Sequence, residues 1–94
     1  MKTLREYYEE AKSKSFNQSK EEGRFLAIWG IDPDDRFLIS FDIKGDNKIE
    51  IGPVTLAHIF NALKYTPEKN IIIAGPDFPV IDISKIVWIE KILN

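Results

Sequence analysis

The sequence has 94 residues, of which 44% are hydrophobic and 30% charged, a balance typical of a folded domain rather than of a disordered segment. Its formal net charge of −2 argues against a generic nucleic-acid-binding protein, because such proteins neutralise phosphates with an excess of lysine and arginine. The absence of cysteine excludes disulfides, thiolate nucleophiles and cysteine-ligated zinc.

The length predicts a single domain, residues 1–94, without internal repeats. The first residues lack the apolar core of a signal peptide, and no apolar stretch reaches the length of a membrane span. We therefore expect a soluble, cytoplasmic protein. The isoleucine-rich composition is typical of an A/T-rich bacterial, phage or mobile-element genome.

A surface helix is predicted over residues 3–14. Thr3 and Glu6 have the spacing of a capping box, in which each side chain satisfies a backbone N–H at the start of the helix. Apolar residues recur on one helical face: Leu4, Tyr7, Tyr8 and Ala11. Residues 15–23 are polar and end in glycine, which predicts a flexible loop.

Three strands are predicted next, joined by short polar turns into an antiparallel meander. Residues 24–31 are apolar on both faces, which is typical of a strand covered on both sides. Residues 36–43 alternate, with these side chains inward: Phe37, Ile39, Phe41 and Ile43. The outward side chains are Arg36, Ser40 and Asp42, with Leu38 as the exception. Residues 48–51 continue the alternation.

The second half begins with a predicted helix from Pro53 to the region before Pro67, because proline suits a first helical turn and disfavours helix in the preceding residue. Its apolar stripe comprises Leu56, Ile59, Phe60 and Leu63. Residues 70–75 predict a buried strand, residues 76–79 a rigid turn and residues 80–84 a further strand.

The last segment, residues 84–93, fits either a strand or a helix. Ser84 could cap a helix, whereas β-branched side chains around Trp88 favour a strand. We adopt the strand, with a bend at Ser84 and Lys85. The resulting order, α-β-β-β-α-β-β, predicts an α+β fold with two helices packed on a mostly antiparallel sheet. A partly open small β-barrel with helices is the alternative.

Three aspartates stand close together at Asp32, Asp34 and Asp35. A calcium loop of the EF-hand type that starts at Asp32 would need an oxygen ligand at its fifth position and a glycine at its sixth, where Arg36 and Phe37 stand. Pro33 and the aspartates instead suit a tight turn. The segment therefore predicts a turn and no metal site.

Other candidate chemistry is sparse. The single histidine, His58, has no acidic residue three or four positions away, so we expect a solvated side chain on a helix surface. Gly75 follows a predicted strand, but the spaced glycines and the lysine of a phosphate-binding loop are missing. We expect no catalytic residue, no cofactor and no metal, and therefore no enzyme.

A small basic patch with a stacking surface could form where Lys12, Lys14 and Lys20 lie near Phe16. Neighbouring glutamates reduce its positive potential, so a solvated, flexible segment is the preferred interpretation. Together with the β-barrel alternative, this patch supports a nucleic-acid-associated accessory protein as the second functional hypothesis, although we expect no nucleic-acid partner.

The preferred hypothesis is a small non-enzymatic interaction or regulatory protein. Residues 32–50 contain six acidic and three basic side chains, a local net charge of −3 that favours a basic partner. The C-terminal segment combines consecutive large apolar residues with a possible edge strand, where Trp88 could anchor a protein partner or a second copy. The predicted interaction surface comprises Trp88, Ile86, Asp34, Asp35 and Asp46.

Overall fold

A computed structural model describes residues 2–13, 26–65, 72–75 and 78–93. The elements in chain order are helix α1 (Leu4–Lys12), strands β1 (Arg36–Ser40) and β2 (Lys48–Ile51), helix α2 (Pro53–Tyr65), strands β3 (Ile72–Gly75) and β4 (Phe78–Asp82), a 3₁₀ turn (Ile83–Lys85) and strand β5 (Trp88–Ile92). The predicted α+β class is confirmed.

Helix α1 begins at the predicted cap. The backbone N–H of Glu6 donates to Thr3 Oγ1 at 3.1 Å, and the Thr3 hydroxyl in turn donates to the Glu6 carboxylate at 3.1 Å. The helix ends at Ser13, whose hydroxyl donates to the carbonyl of Glu10. Residue 14 and the predicted loop over residues 15–23 lie outside the described residues.

The main sheet has the strand order β2-β1-β5 and is antiparallel throughout. Ile39 in the central strand lies opposite Ile49 and Ile89. Strands β3 and β4 form a separate antiparallel pair. Strands β2 and β5 flank β1 on opposite sides and do not pair with each other, so the sheet is not closed and the β-barrel alternative is wrong.

Both helices pack on one face of the sheet, named here the inner face and formed by Phe37, Ile39, Ile51 and Ile89. The ring of Tyr7 in α1 lies 5.9 Å from that of Phe37, edge to face. The predicted apolar stripe of α2 is buried as expected: Leu56, Ile59, Phe60 and Leu63. Ile81 and Ile83, from the end of β4 and the 3₁₀ turn, join the same core.

The strand predicted over residues 24–31 is wrong in its described part. Leu26 and Ala27 are helical, and the backbone N–H groups of Trp29 and Gly30 donate to the carbonyls three residues earlier. Gly30 has a φ of 68°, a conformation that glycine adopts without a steric penalty. A run that is apolar on both faces carries no clear period of two, so tertiary packing decides between strand and helical turn.

The predicted strand over residues 36–43 is too long, because β1 ends at Ser40. Asp42 then accepts a hydrogen bond from the backbone N–H of Asp46 at 3.0 Å, and Gly45 adopts a φ of 74°. This loop turns Ile43 outward, where it is 83% exposed, although inward was predicted. Ser40, predicted to point outward into solvent, is only 1% exposed.

The C-terminal segment forms strand β5, so the helix alternative is wrong and the bend at Ser84 and Lys85 is confirmed as the 3₁₀ turn. Asp82 caps this turn by accepting from the backbone N–H of Ser84 at 3.1 Å. Strand β4 covers Phe78–Asp82, whereas a rigid turn over residues 76–79 and a strand over residues 80–84 were predicted. The strand therefore begins and ends two residues earlier than expected.

Candidate functional site

Trp88 lies on the outer face of the main sheet, the face opposite the helices. Its neighbour Ile89 is fully buried on the inner face, and successive strand residues point to opposite faces. Trp88 pairs across the strands with Ser40 and is partly buried. The indole packs against the loop between β1 and β2, since a methyl group on Gly45 would lie 3.2 Å from Trp88 Cζ2.

Asp46, a second predicted surface residue, is brought close to Trp88 by this packing. It follows Gly45 directly and is exposed. Its backbone N–H is held by the Asp42 carboxylate, which fixes the loop beside the indole. The structure therefore unites Trp88 and Asp46, which are far apart in the sequence.

Asp34 and Asp35 lie at the other end of β1. Arg36 and Ser40 are four residue steps apart, which corresponds to about 13 Å along the strand. The backbone N–H of Asp35 donates to the carbonyl of Asp32 at 3.1 Å, which confirms the predicted turn. The Asp35 carboxylate lies 3.2 Å from the Lys91 ammonium, so a neighbouring lysine already compensates its charge.

Ile86 is partly buried and packs against the core beside the 3₁₀ turn. Its backbone N–H donates to the carbonyl of Ile83 at 3.2 Å. The five predicted residues therefore do not form one surface. Trp88 and Asp46 form one site, Asp34 and Asp35 belong to a distant turn, and Ile86 mainly completes the core.

Leu38 and Ile92 lie on the same outer face as Trp88, although neither belongs to the predicted interaction surface. Leu38 in β1 and Ile92 in β5 are both partly exposed, and the register places Leu38 between Glu50 and Glu90. We name Leu38, Trp88 and Ile92 the outer apolar patch. The signal for it was present in the sequence, because Leu38 is the residue that breaks the alternation of β1.

The outer face is only partly open within the described part of the chain. Leu38, Trp88 and Ile92 are partly exposed, whereas Ser40, which lies opposite Trp88 on the same face, is nearly as buried as Ile39 and Ile89 on the inner face. Charged residues of both signs surround the patch: Arg36, Lys48, Glu50 and Glu90. Arg36 donates to the Glu50 carboxylate at 2.8 Å through Nη2.

A second feature is a cleft of about 360 Å³ between the two helices and the turn over residues 26–31. It is lined by Tyr8, Lys12, Ile28, Trp29 and Lys64. The two lysines form no ion pair with any residue in the described ranges. Tyr8 and Trp29, however, are each only 4% exposed, so their rings offer no face on which a base could stack.

Tyr7 of α1, which packs on the inner face of the sheet, has a perturbed pKa. Burial raises the pKa of the Tyr7 hydroxyl above its usual value, and the negative charges of Asp35 and Glu10 raise it further. Lys2 forms an ion pair with Glu10 and lies over the Tyr7 ring. Because this environment holds the phenol neutral, it opposes a role for Tyr7 as a base or nucleophile.

Metal and histidine chemistry have little support in the described ranges. No group of three acidic, cysteine or histidine side chains is arranged there to hold a metal ion. His58 is exposed on α2, as predicted. The basic patch around Phe16 cannot be placed, because Lys14, Phe16 and Lys20 lie outside the described residues.

Comparison with protein-family models, with curated proteins and with solved structures finds no match to this chain. Among the described helices, none is both long and apolar enough to cross a bilayer.

Proposed function

We propose that this chain is a non-enzymatic interaction protein that binds a partner protein through the outer apolar patch. The observation that supports this proposal is the position of Trp88. A partly exposed tryptophan lies diagonally across the strands from Leu38, and Ile92 at the other end of β5 is partly exposed on the same sheet face. Tryptophan is among the residues most enriched at the energetic centres of protein interfaces.

The surroundings of the patch resemble the anatomy of such interfaces, in which an apolar centre is ringed by polar side chains. Trp88 is held by Gly45 and the Asp42–Asp46 hydrogen bond, so its indole is positioned before a partner arrives. A preorganised anchor loses little conformational entropy on binding.

The acidic segment that contains Asp46 favours a basic partner. Acidic and basic side chains both border the patch, but the segment 32–50 as a whole carries a net charge of −3. A partner with an apolar centre and a rim of lysine or arginine would complement this surface. The proposal keeps the cytoplasmic location expected from the sequence.

The nucleic-acid hypothesis receives less support. The β-barrel on which it partly depended is not formed, and the aromatic rings of the cleft are buried. Lysines alone would provide a sequence-independent electrostatic attraction, which the overall negative charge opposes.

Site-specific photo-cross-linking tests the proposal. A photoreactive amino acid replaces Leu38 in one variant and Glu9, exposed on α1, in a control, and both are expressed in cells that naturally produce the chain. We expect a discrete cross-linked protein from position 38 alone. The partner is then purified, and its Kd is measured with the wild type, Trp88→Ala and Glu9→Ala.

We expect Trp88→Ala to weaken binding roughly thirtyfold or more, as the loss of a central interface tryptophan does. Glu9→Ala should leave the Kd unchanged. Equal cross-linking from both positions, or a Kd that is insensitive to Trp88→Ala, would contradict the proposal.

A further inference from the structure

The edge of the sheet formed by β2 has unpaired backbone groups in the described part of the chain, where its one neighbour is β1. The backbone N–H of Phe41 donates to the carbonyl of Asn47 at 2.8 Å, so the backbone of Asn47 points towards β1. Backbone groups alternate in direction along a strand. The N–H and C=O groups of Lys48 and Glu50 therefore point away from β1.

The side chains of this edge carry a self-complementary charge pattern. Lys48 and Glu50 both lie on the outer face and are exposed, and Ile49 between them points inward. Lys48 forms no ion pair with a described residue. Glu50 is bonded to Arg36 through Oε2, and no described contact uses its other oxygen.

We propose that β2 pairs antiparallel with β2 of a second copy, about a two-fold axis that passes beside Ile49. In this register Lys48 lies opposite Glu50 of the partner subunit, and the symmetry repeats the pair. Each of the two Lys48–Glu50 pairs exchanges both of its backbone N–H···O=C hydrogen bonds, so the two chains together gain four backbone hydrogen bonds. The two Ile49 side chains meet on the inner face, and one six-stranded sheet runs through both copies.

Charge selects this register over its neighbours. An axis beside Lys48 or Glu50 would place that residue opposite its own copy, and like charges directly opposite one another are destabilising. The β5 edge is less suitable, since Lys2 already bonds to both backbone groups of Ile89. An axis beside Lys91 on that edge would also bring two lysines together.

Analytical ultracentrifugation with charge-reversed variants tests the dimer. The wild type should reach twice the chain mass of 10.9 kDa as its concentration rises. Lys48→Glu and Glu50→Lys each convert two attractive pairs into two repulsive pairs and should weaken the dimer about ten- to a hundredfold. An equimolar mixture of the two variants should form a heterodimer, and the double variant K48E/E50K should again form a homodimer.

Three control variants isolate the edge. Glu90→Lys reverses the charge on the other side of Leu38, and Lys85→Glu reverses an exposed charge in the 3₁₀ turn. Arg36→Gln removes the ion pair within the chain but leaves the charges of β2 intact. All three should dimerise as the wild type does.

Amide hydrogen exchange provides an independent measurement. Exchange at the amides of Lys48 and Glu50 should slow as the concentration rises, whereas amides on the β5 edge should be unaffected. A wild type that stays monomeric at millimolar concentration would overturn the proposal. So would a dimer that survives both single charge reversals, or a mixture of the two variants that remains monomeric. Lys48 and Glu50 also border the outer apolar patch, but Trp88 itself lies on β5 and takes no part in the backbone pairing of the β2 edge.

Discussion

The two faces of strand β1 show how one segment of five residues serves two purposes. Phe37 and Ile39 point to the inner face, where both helices cover them almost completely. Leu38, between them, points to the outer face and remains partly exposed between two glutamates. Adjacent residues of similar hydrophobicity therefore have different roles, one in the core and one in a candidate contact surface.

This difference shows that burial depends on what lies above each face rather than on the residue type. The inner face is covered because α1 and α2 both carry apolar stripes. Neither α1 nor α2 packs on the outer face, where Leu38 stays partly exposed although Ser40 is buried. Substitutions on the two faces test this contrast, beginning with the most destabilising one.

Ile39→Ala should lower the free energy of unfolding by about 3–4 kcal/mol, because it leaves a cavity in a fully buried site. Leu38→Ala, one residue away on the outer face, should cost about 1 kcal/mol. Urea denaturation followed by circular dichroism measures both values. Equal losses would show that the outer face is as well covered as the inner one.

Trp88→Ala should lower the free energy of unfolding by about 2 kcal/mol and leave a folded protein, since the indole is only partly buried. Its packing on Gly45 accounts for this cost. Chemical denaturation gives the value, and amide NMR spectra verify the fold. A loss of 3–5 kcal/mol would instead place Trp88 in the core.

Gly45→Ala should cost about 1 kcal/mol, because Gly45 has a φ of 74° and its new methyl group would press on the Trp88 ring. Gly52→Ala is the matched control. Its methyl group would approach only the flexible end of Arg36, so we expect a smaller loss. Thermal unfolding of the two variants compares them directly, and the reverse ranking would contradict the packing of the loop on Trp88.

Alkaline pH should destabilise the inner face through Tyr7. Because burial raises the pKa of Tyr7 above 10.0, the folded state retains a proton that the unfolded state releases. The stability that the protonated Tyr7 hydroxyl contributes is fully present below the pKa of Tyr7 in the unfolded state. It is lost as the pH rises through the higher pKa of Tyr7 in the folded state. Thermal unfolding from about pH 9 to about pH 11 should show a shallower fall in Tm for Tyr7→Phe than for the wild type. Tyr65→Phe, at an exposed position, should behave like the wild type.

His58→Ala should change the free energy of unfolding by less than about 1 kcal/mol, because the side chain is exposed on α2 and away from both sheet faces. Urea denaturation at neutral pH measures the difference. A loss of several kcal/mol would mean that His58 makes a structural contribution that its exposure does not suggest.

Local signals in the sequence were sufficient for several elements. The Thr3 cap, the stripe of α2 that starts at Pro53, and the turn at Asp32 all depend on contacts between residues close in the chain. The candidate surface was predicted less well. Trp88 was selected for its residue type, but Leu38 joins it only through strand pairing, which connects residues more than 50 positions apart.

The α+β class, the Thr3 cap, the two apolar helical stripes and the alternation of Phe37 and Ile39 could be predicted from the sequence alone, because capping and hydrophobic periodicity act over one or two turns of chain. The helical turn over residues 26–31, the return of β5 beside β1, and the exposure of Ile43 together with the burial of Ser40 follow from the tertiary structure. These features depend on how much apolar surface is buried between segments that are distant in the chain. Local secondary-structure propensity does not determine that burial.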